Sequence, residues 1–278
     1  MKINLAKNLG FCFGVKRALK LTEEVLKENK NVFILNPLVH NEYVMKDLEK
    51  KGLKKVKFLK EIPENSFLIL PAHGTSPDLI REAKKKKLKL IDCTCPFLLE
   101  IHRKIRELEK SRYFLVIIGD KFHAETKAIR AQVKKALVIE DMKDLRAFKK
   151  ELNQKKIGVV FQSTQDLEQV FDIILEILKN TQELRVFNTI CKPTQLRQEE
   201  IKKLAQENDI VLVIGSKTSA NTNRLYKISK KINPSTYLIS EPSDIPYENI
   251  TPNTKIAITS GSSTPPFLID QIIKSLKK

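Results

Sequence analysis

The amino-acid sequence predicts an α/β fold built from three similar αβα units, with mostly parallel sheets around a pseudo-threefold axis. Three observations lead there. Short apolar runs of strand length alternate with amphipathic stretches of helix length, the pattern of βαβ units. Three cysteines each end a segment and open a helix: Cys12 in LGFCFGVKRAL, Cys95 in DCTCPFLLEIH and Cys191 in NTICKPTQLRQ. A second set of turns follows those cysteines at one constant offset.

Taken in order, the apolar runs place strands at Val32–Leu35, Phe67–Leu70, Leu88–Ile91, Tyr113–Gly119, Leu137–Ile139, Ile157–Phe161, Leu184–Phe187, Ile210–Gly215, Thr236–Ile239 and Lys255–Thr259. Near-continuous apolar runs such as these suit strands covered on both faces. Between them, apolar residues recur at helical spacing. Helices are expected at Val15–Lys27, Asn41–Lys51, Pro77–Lys86, Phe97–Lys110, Leu167–Leu178, Gln195–Asn208, Thr222–Lys231 and Pro266–Leu276. Residues 241–254 hold three prolines and show no period, which reads as a loop.

The repeat arithmetic defines the units. His40 follows Cys12 by 28 residues, His123 follows Cys95 by 28, and Ser219 follows Cys191 by 28. The same register selects Cys95 over its neighbour Cys93. A third, looser set of strand–turn–helix segments is LILPAHGTSP, VVFQSTQDLE and AITSGSSTPP. The expected units are residues 13–95, residues 96–190, and residues 191–265 together with 1–12, followed by a C-terminal helix over 266–278. Ligands of open α/β sheets bind beyond the carboxyl ends of the strands, so these turns are expected to line one cavity.

Composition narrows the function. The N-terminus has no apolar or Arg/Ser-rich leader, and no apolar run approaches the length of a membrane span, so a soluble, cytoplasmic protein is expected. Four cysteines in 278 residues do not make a disulfide framework and point to ligands, catalytic groups or core residues. The net charge of +18 suits acidic or phosphorylated partners, although much of the lysine lies on amphipathic helices as an ordinary solvated face. With no Trp, 6% aromatics and no recognisable nucleic-acid motif, specific nucleic-acid binding is disfavoured.

The cysteines lack a C-x-x-C pair, so a zinc ribbon is not expected. One thiolate from each repeated cysteine segment suits an iron–sulfur cubane at the centre, with one iron left without a protein ligand; the competing reading is three buried small hydrophobes. His40, His73, Ser219, Asn221 and Ser263 stand at or just before helix starts, where N–H groups and the helix dipole favour phosphate. Ordinary capping explains the hydroxyl and amide residues as well, but three of the four histidines share these turns. His102, in mid-helix, reads as structural. Glu125, two residues after His123, fits a proton donor in a closed cavity or a simple helix-dipole partner. Ser163 or Thr164 could relay its proton.

These residues together resemble a known family. GFCFGVKRAL, NPLVHN, AHGTSP, DCTCP, HAET, TICKPTQLRQ, SANTNRL and SGSSTP, in order from Gly10 to Pro265, are similar to the signature segments of the 4-hydroxy-3-methylbut-2-enyl diphosphate reductases, or LytB proteins. The resemblance implies three αβα domains around a [4Fe-4S] cluster and the last step of the non-mevalonate isoprenoid pathway. In that step an allylic hydroxyl is removed as water, giving isopentenyl and dimethylallyl diphosphates. It implies Cys12, Cys95 and Cys191 as cluster ligands, and His40, His73, His123, Ser219, Asn221 and Ser263 as diphosphate-binding positions. Glu125 matches the proton donor, and Ser163 the hydroxyl beside the substrate's alcohol. Two departures stand out: Ala220 where the family often has a second serine, and Ser163 in place of threonine. A monomer is implied, with an acidic ferredoxin or flavodoxin as electron donor. The alternatives are another three-cysteine iron–sulfur enzyme, such as a quinolinate-synthase-like protein, and a basic nucleic-acid-binding protein.

Overall fold

A computed structural model describes residues 1–153 and 156–277. In chain order its elements are β1 (Lys2–Leu5), α1 (Phe13–Glu28), β2 (Val32–Ile34), α2 (Glu42–Lys50), β3 (Lys54–Lys55), β4 (Phe67–Leu70), α3 (Pro77–Lys85), β5 (Lys89–Asp92), α4 (Pro96–Lys110), β6 (Phe114–Ile118), α5 (Ala124–Arg130) and β7 (Leu137–Ile139). There follow α6 (Met142–Ala147), α7 (Lys149–Leu152), β8 (Lys156–Phe161), α8 (Leu167–Leu178), β9 (Glu183–Val186), α9 (Lys192–Glu207), β10 (Ile210–Ile214), α10 (Ala220–Ile232), β11 (Thr236–Ile239), β12 (Lys255–Ser260) and α11 (Pro266–Leu276).

The strands form three four-stranded sheets, with orders β3-β2-β4-β5, β7-β6-β8-β9 and β11-β10-β12-β1. Every pair is parallel. The three orders are one order repeated, with β1 from the N-terminus serving as the last strand of the third sheet. In register, Lys2 pairs with Lys255 and Leu5 with Ile258.

The chain divides into two compact units. The first comprises Met1–Lys16, Val39–Lys50 and Lys192–Lys278 and holds the β11-β10-β12-β1 sheet. One face of that sheet, through Leu212, Ile214, Ile256 and Ile258, packs with Leu268, Ile269 and Ile272 of α11. The opposite face, through Val211, Val213 and Ala257, packs with Ile201 of α9 and Leu225 of α10. The second unit, Arg17–Leu38 and Lys51–Cys191, holds the other two sheets. Strand β6 shows the same two-sided burial: Val116 and Ile118 meet Val170 and Ile173 of α8, while Leu115 and Ile117 meet Ile101, Ile105 and Leu108 of α4. Two apolar faces per strand explain why the strands read as continuous apolar runs.

The expected strands and helices are present with small shifts at their ends, and every sheet is wholly rather than mostly parallel. The structure adds β1, β3, α5, α6 and α7, and it places two short 3-10 turns, Pro242–Asp244 and Tyr247–Asn249, in the expected loop. Among the described residues no helix is long and apolar enough to cross a membrane.

Candidate functional site

The strand order fixes where the chemistry-bearing loops begin. The cysteine segments follow the edge strands β5, β9 and β1. The turns of His40, His123 and Ser219 follow β2, β6 and β10, and those of His73, Ser163 and Ser263 follow β4, β8 and β12. All nine loops therefore leave the carboxyl ends of parallel strands, where open α/β sheets bind ligands.

Each repeat cysteine stands one residue before a helix: Cys12 before α1, Cys95 before α4 and Cys191 before α9. Each one's backbone N–H donates to a carbonyl two residues past a central strand. Cys12 reaches Ser262, Cys95 reaches Ala72 and Cys191 reaches Ser163, all at 3.0 Å. None forms a disulfide, and all three are half-buried. A helix N-terminus favours negative charge, which suits a thiolate ligand. Cys93 differs. It is fully buried, its sulfur lies 3.7 Å from the Thr22 hydroxyl, and burial pushes its thiol up to about 11. It behaves as a core residue.

The second unit carries the acid. Glu125 lies in the first turn of α5 and is 6% exposed. Its Oε1 accepts the Ser163 N–H at 2.5 Å and its Oε2 accepts the Ser163 hydroxyl at 2.9 Å. Burial is the dominant influence and, with a smaller push from the Asp120 charge, raises the carboxyl to about 7 against the two hydrogen bonds. His123 caps α5, its Nδ1 accepting the Glu125 N–H at 3.2 Å. Of the two candidate relays, Ser163 meets the carboxyl, whereas Thr164 accepts from the Gln162 amide at 3.0 Å. Gln162, which sequence reasoning passed over, is fully buried and braces the site: its Oε1 accepts from the Asp120 N–H at 2.8 Å and the Thr126 hydroxyl at 3.1 Å. A buried glutamine has no periodic signature, so no sequence signal marked it.

In the first unit, Ser219 caps α10, its hydroxyl accepting the Thr222 N–H at 3.3 Å, and Ala220 opens the helix. Asn221 follows at 3% exposure, with both side-chain polar atoms buried and without a protein partner. Burying an unpaired amide costs free energy, and a bound polar ligand removes that cost. Ser263, also buried, donates to the His40 carbonyl at 3.3 Å. Burial lowers the pKa of the His40 ring. The cap of α2 is Asn41 rather than His40, its Oδ1 accepting the Val44 N–H at 3.2 Å.

His73 corrects one expectation. It does not open a helix; Ser76 caps α3, accepting the Leu79 N–H at 3.2 Å, and His73 sits in the tight turn before it. That turn is pinned by the Gly74 N–H to the Pro71 carbonyl and the Ala72 N–H to the Leu38 carbonyl, both at 3.0 Å.

With this geometry in view, the family model described as "LytB protein" matches residues 3–277. The chain belongs to the LytB family. Among LytB-family relatives, the 4-hydroxy-3-methylbut-2-enyl diphosphate reductase of Aquifex aeolicus is 38% identical over 275 residues, covering 97% of this chain and 94% of its own. That of Clostridioides difficile is 35% identical over 279 residues, covering 100% and 99%. The solved E-1-hydroxy-2-methyl-but-2-enyl-4-diphosphate reductase of Plasmodium falciparum superposes with a TM-score of 0.93 at 30% identity, over 100% of this chain and 88% of that one. A second solved structure, of the (E)-4-hydroxy-3-methyl-but-2-enyl diphosphate reductase described as the terminal enzyme of the non-mevalonate pathway, matches with a TM-score of 0.73 at 37% identity over 99% of both chains.

Proposed function

We infer that this LytB-family chain is the reductase acting on 4-hydroxy-3-methylbut-2-enyl diphosphate, the terminal enzyme of the non-mevalonate pathway. Its products are isopentenyl and dimethylallyl diphosphates. The observation that carries the mechanism is the Glu125–Ser163 pair: a buried carboxyl raised to about 7, with a hydroxyl at 2.9 Å. A carboxyl tuned to the working pH can hold a proton and still release it.

The cofactor is a [4Fe-4S] cluster with Cys12, Cys95 and Cys191 each giving one thiolate. Three half-buried sulfurs, each at a helix N-terminus and each with its own N–H tied back to a strand-end loop, fit that role. Among the described residues no three His, Cys, Asp or Glu side chains could hold a single metal ion. A cubane makes a different demand, since its thiolates bind separate irons. When bound, the cluster would relay the two electrons one at a time from the external donor and would supply a Lewis-acid iron that polarises the substrate's C–O bond.

The remaining steps belong to side chains. His40, His73, His123, Ser219, Asn221 and Ser263, with the backbone N–H of Ala220, hold the diphosphate. Binding energy gained there is remote from the reacting carbon and can enforce its pose. The Asn221 amide has both its donor and acceptor unspent on protein groups. The Ser163 hydroxyl orients the substrate's alcohol, and Glu125 donates the proton that lets oxygen leave as water, with His123 fixing the start of α5; the two electrons and a second proton form the new C–H bond of either product. The repeated strand order supports a division into units 13–95, 96–190, and 191–265 with 1–12, followed by the C-terminal segment 266–278, of which Lys278 lies outside the described residues. The basic chain acts as a cytoplasmic monomer that takes electrons from an acidic ferredoxin or flavodoxin.

The deciding experiment is anaerobic. Cluster-reconstituted protein is mixed with reduced methyl viologen, and dye oxidation is followed on adding the hydroxylated allylic diphosphate. Substrate-dependent oxidation that is lost in Cys12→Ala supports the assignment. No oxidation by protein with an intact cluster overturns it.

A further inference from the structure

His102 lies nearly two turns past Cys95 on α4, is 4% exposed, and keeps Nε2 buried with no protein partner. Such a nitrogen carries a desolvation penalty that an apolar side chain would avoid. The rest of the buried face of α4, Leu98, Ile101, Ile105 and Leu108, belongs to one apolar cluster with residues of β6 and β8. The exception therefore needs its own reason.

Its surroundings supply one. Gly74, in the turn that carries His73, has φ +87°, a conformation that favours glycine. A Cβ added there would lie 3.0 Å from Leu98 Cδ2, 3.1 Å from His102 Cε1 and 3.4 Å from Ala128 Cβ. The turn is thus clamped on one side by α4, which begins after Cys95, and on the other by α5, which carries Glu125 behind the His123 cap. Two hydrogen bonds complete the clamp: the Cys95 N–H donates to the Ala72 carbonyl at 3.0 Å, and Gln132 Nε2 donates to the Thr75 carbonyl at 3.3 Å.

We propose that His102 is a positioning residue: its imidazole, seated against Gly74, fixes the Ala72–Gly74 turn and thereby the placement of His73 for the substrate's diphosphate. The inference rests on the functional reading above for the role of His73, while the clamp itself is a matter of local geometry. His102 sets affinity more than turnover, because it acts on the diphosphate end and not on the Glu125–Ser163 pair.

The test compares His102→Gln and His102→Leu with the parent by amide hydrogen exchange and by steady-state kinetics, with iron content per chain measured alongside. Expected are exchange at the Gly74 and Cys95 amides faster by about tenfold or more, with protection retained in β6 and β8, and a KM for substrate raised about tenfold with kcat changed far less. Iron content stays at the parent's level. Unaltered exchange at Gly74 and Cys95 with an unaltered KM in the variants that fold, whatever their melting temperature, overturns the proposal. Should His102→Leu fail to fold, His102→Gln decides it. A parent protein that never turns over the allylic diphosphate overturns the functional reading instead, and the exchange data still decide the clamp.

Discussion

Glu125 concentrates the competing demands on a single side chain. Its carboxyl titrates near 7 because burial disfavours the charge more than the two Ser163 hydrogen bonds favour it. The role proposed for Glu125 needs the protonated form, so turnover is expected to fall as pH rises through about 7, and Glu125→Gln to lose about 100-fold or more in kcat with substrate affinity largely kept. The same burial affects stability. The folded-state pKa lies above the ordinary carboxyl value of 4.5, so the native state binds more protons than the unfolded chain between those values. This contribution is fully present below about 4.5 and is lost as pH rises to about 7, amounting to about 3 kcal/mol. Denaturation of Glu125→Gln followed against pH should lack that decline; an unchanged decline would assign the titration to another group. The cysteines separate on equally local grounds. Cys93→Ala should leave iron content intact and cost about 1 kcal/mol of packing, whereas Cys95→Ala should lower iron content with little effect on apoprotein stability. The constant offset of 28 residues already picked Cys95 from the sequence. The pairing of Ser163 rather than Thr164 with Glu125 was not legible from the residue pattern, because two neighbouring hydroxyls in one turn carry no periodic signal that separates them.

Elements with a strong apolar signal were legible, and those with a weak one were not. Strands β6, β8, β10 and β12 are buried on both faces and read plainly as apolar runs. β1 (KINL) and β3 (two lysines) carry too few apolar residues to stand out, and their pairing is set by the neighbouring strand rather than by their own composition. Helix α5, at seven residues, is shorter than the windows in which helical period shows, and it is the helix that carries Glu125. The tight turns after strands were visible as small-residue clusters, but not their reason. Gly261, in the turn after β12 that also holds Ser262 and Ser263, shows it: a Cβ there would lie 2.0 Å from Thr222 Oγ1 of α10. Thr222 is fully buried and cannot retreat into solvent. Gly261→Ala should therefore cost about 1–3 kcal/mol, read as a lower urea midpoint with unchanged m.

At the scale of the whole molecule, the charge of +18 is a property that no single site explains. Lysines dominate the ion pairs, yet those pairs are mostly exposed, as with Lys20–Glu24 and Lys87–Glu64, and exposed pairs contribute little to stability. The excess charge is better accounted for as a field acting on partners. The inferred substrate is an anion and the inferred electron donor an acidic protein, so a basic surface would draw in both. The two effects separate experimentally, because salt screens long-range steering between large charged bodies once their separation exceeds the Debye length, about 8 Å at 0.15 M. With a reduced flavodoxin or ferredoxin as donor, the second-order rate of cluster reduction should fall roughly tenfold or more between 0.02 and 0.3 M salt. With methyl viologen, a cation that gains nothing from a basic surface, the rate should hold or rise over the same range. Equal salt dependence for both donors would remove the field from electron delivery and leave the lysines as an ordinary solvated surface.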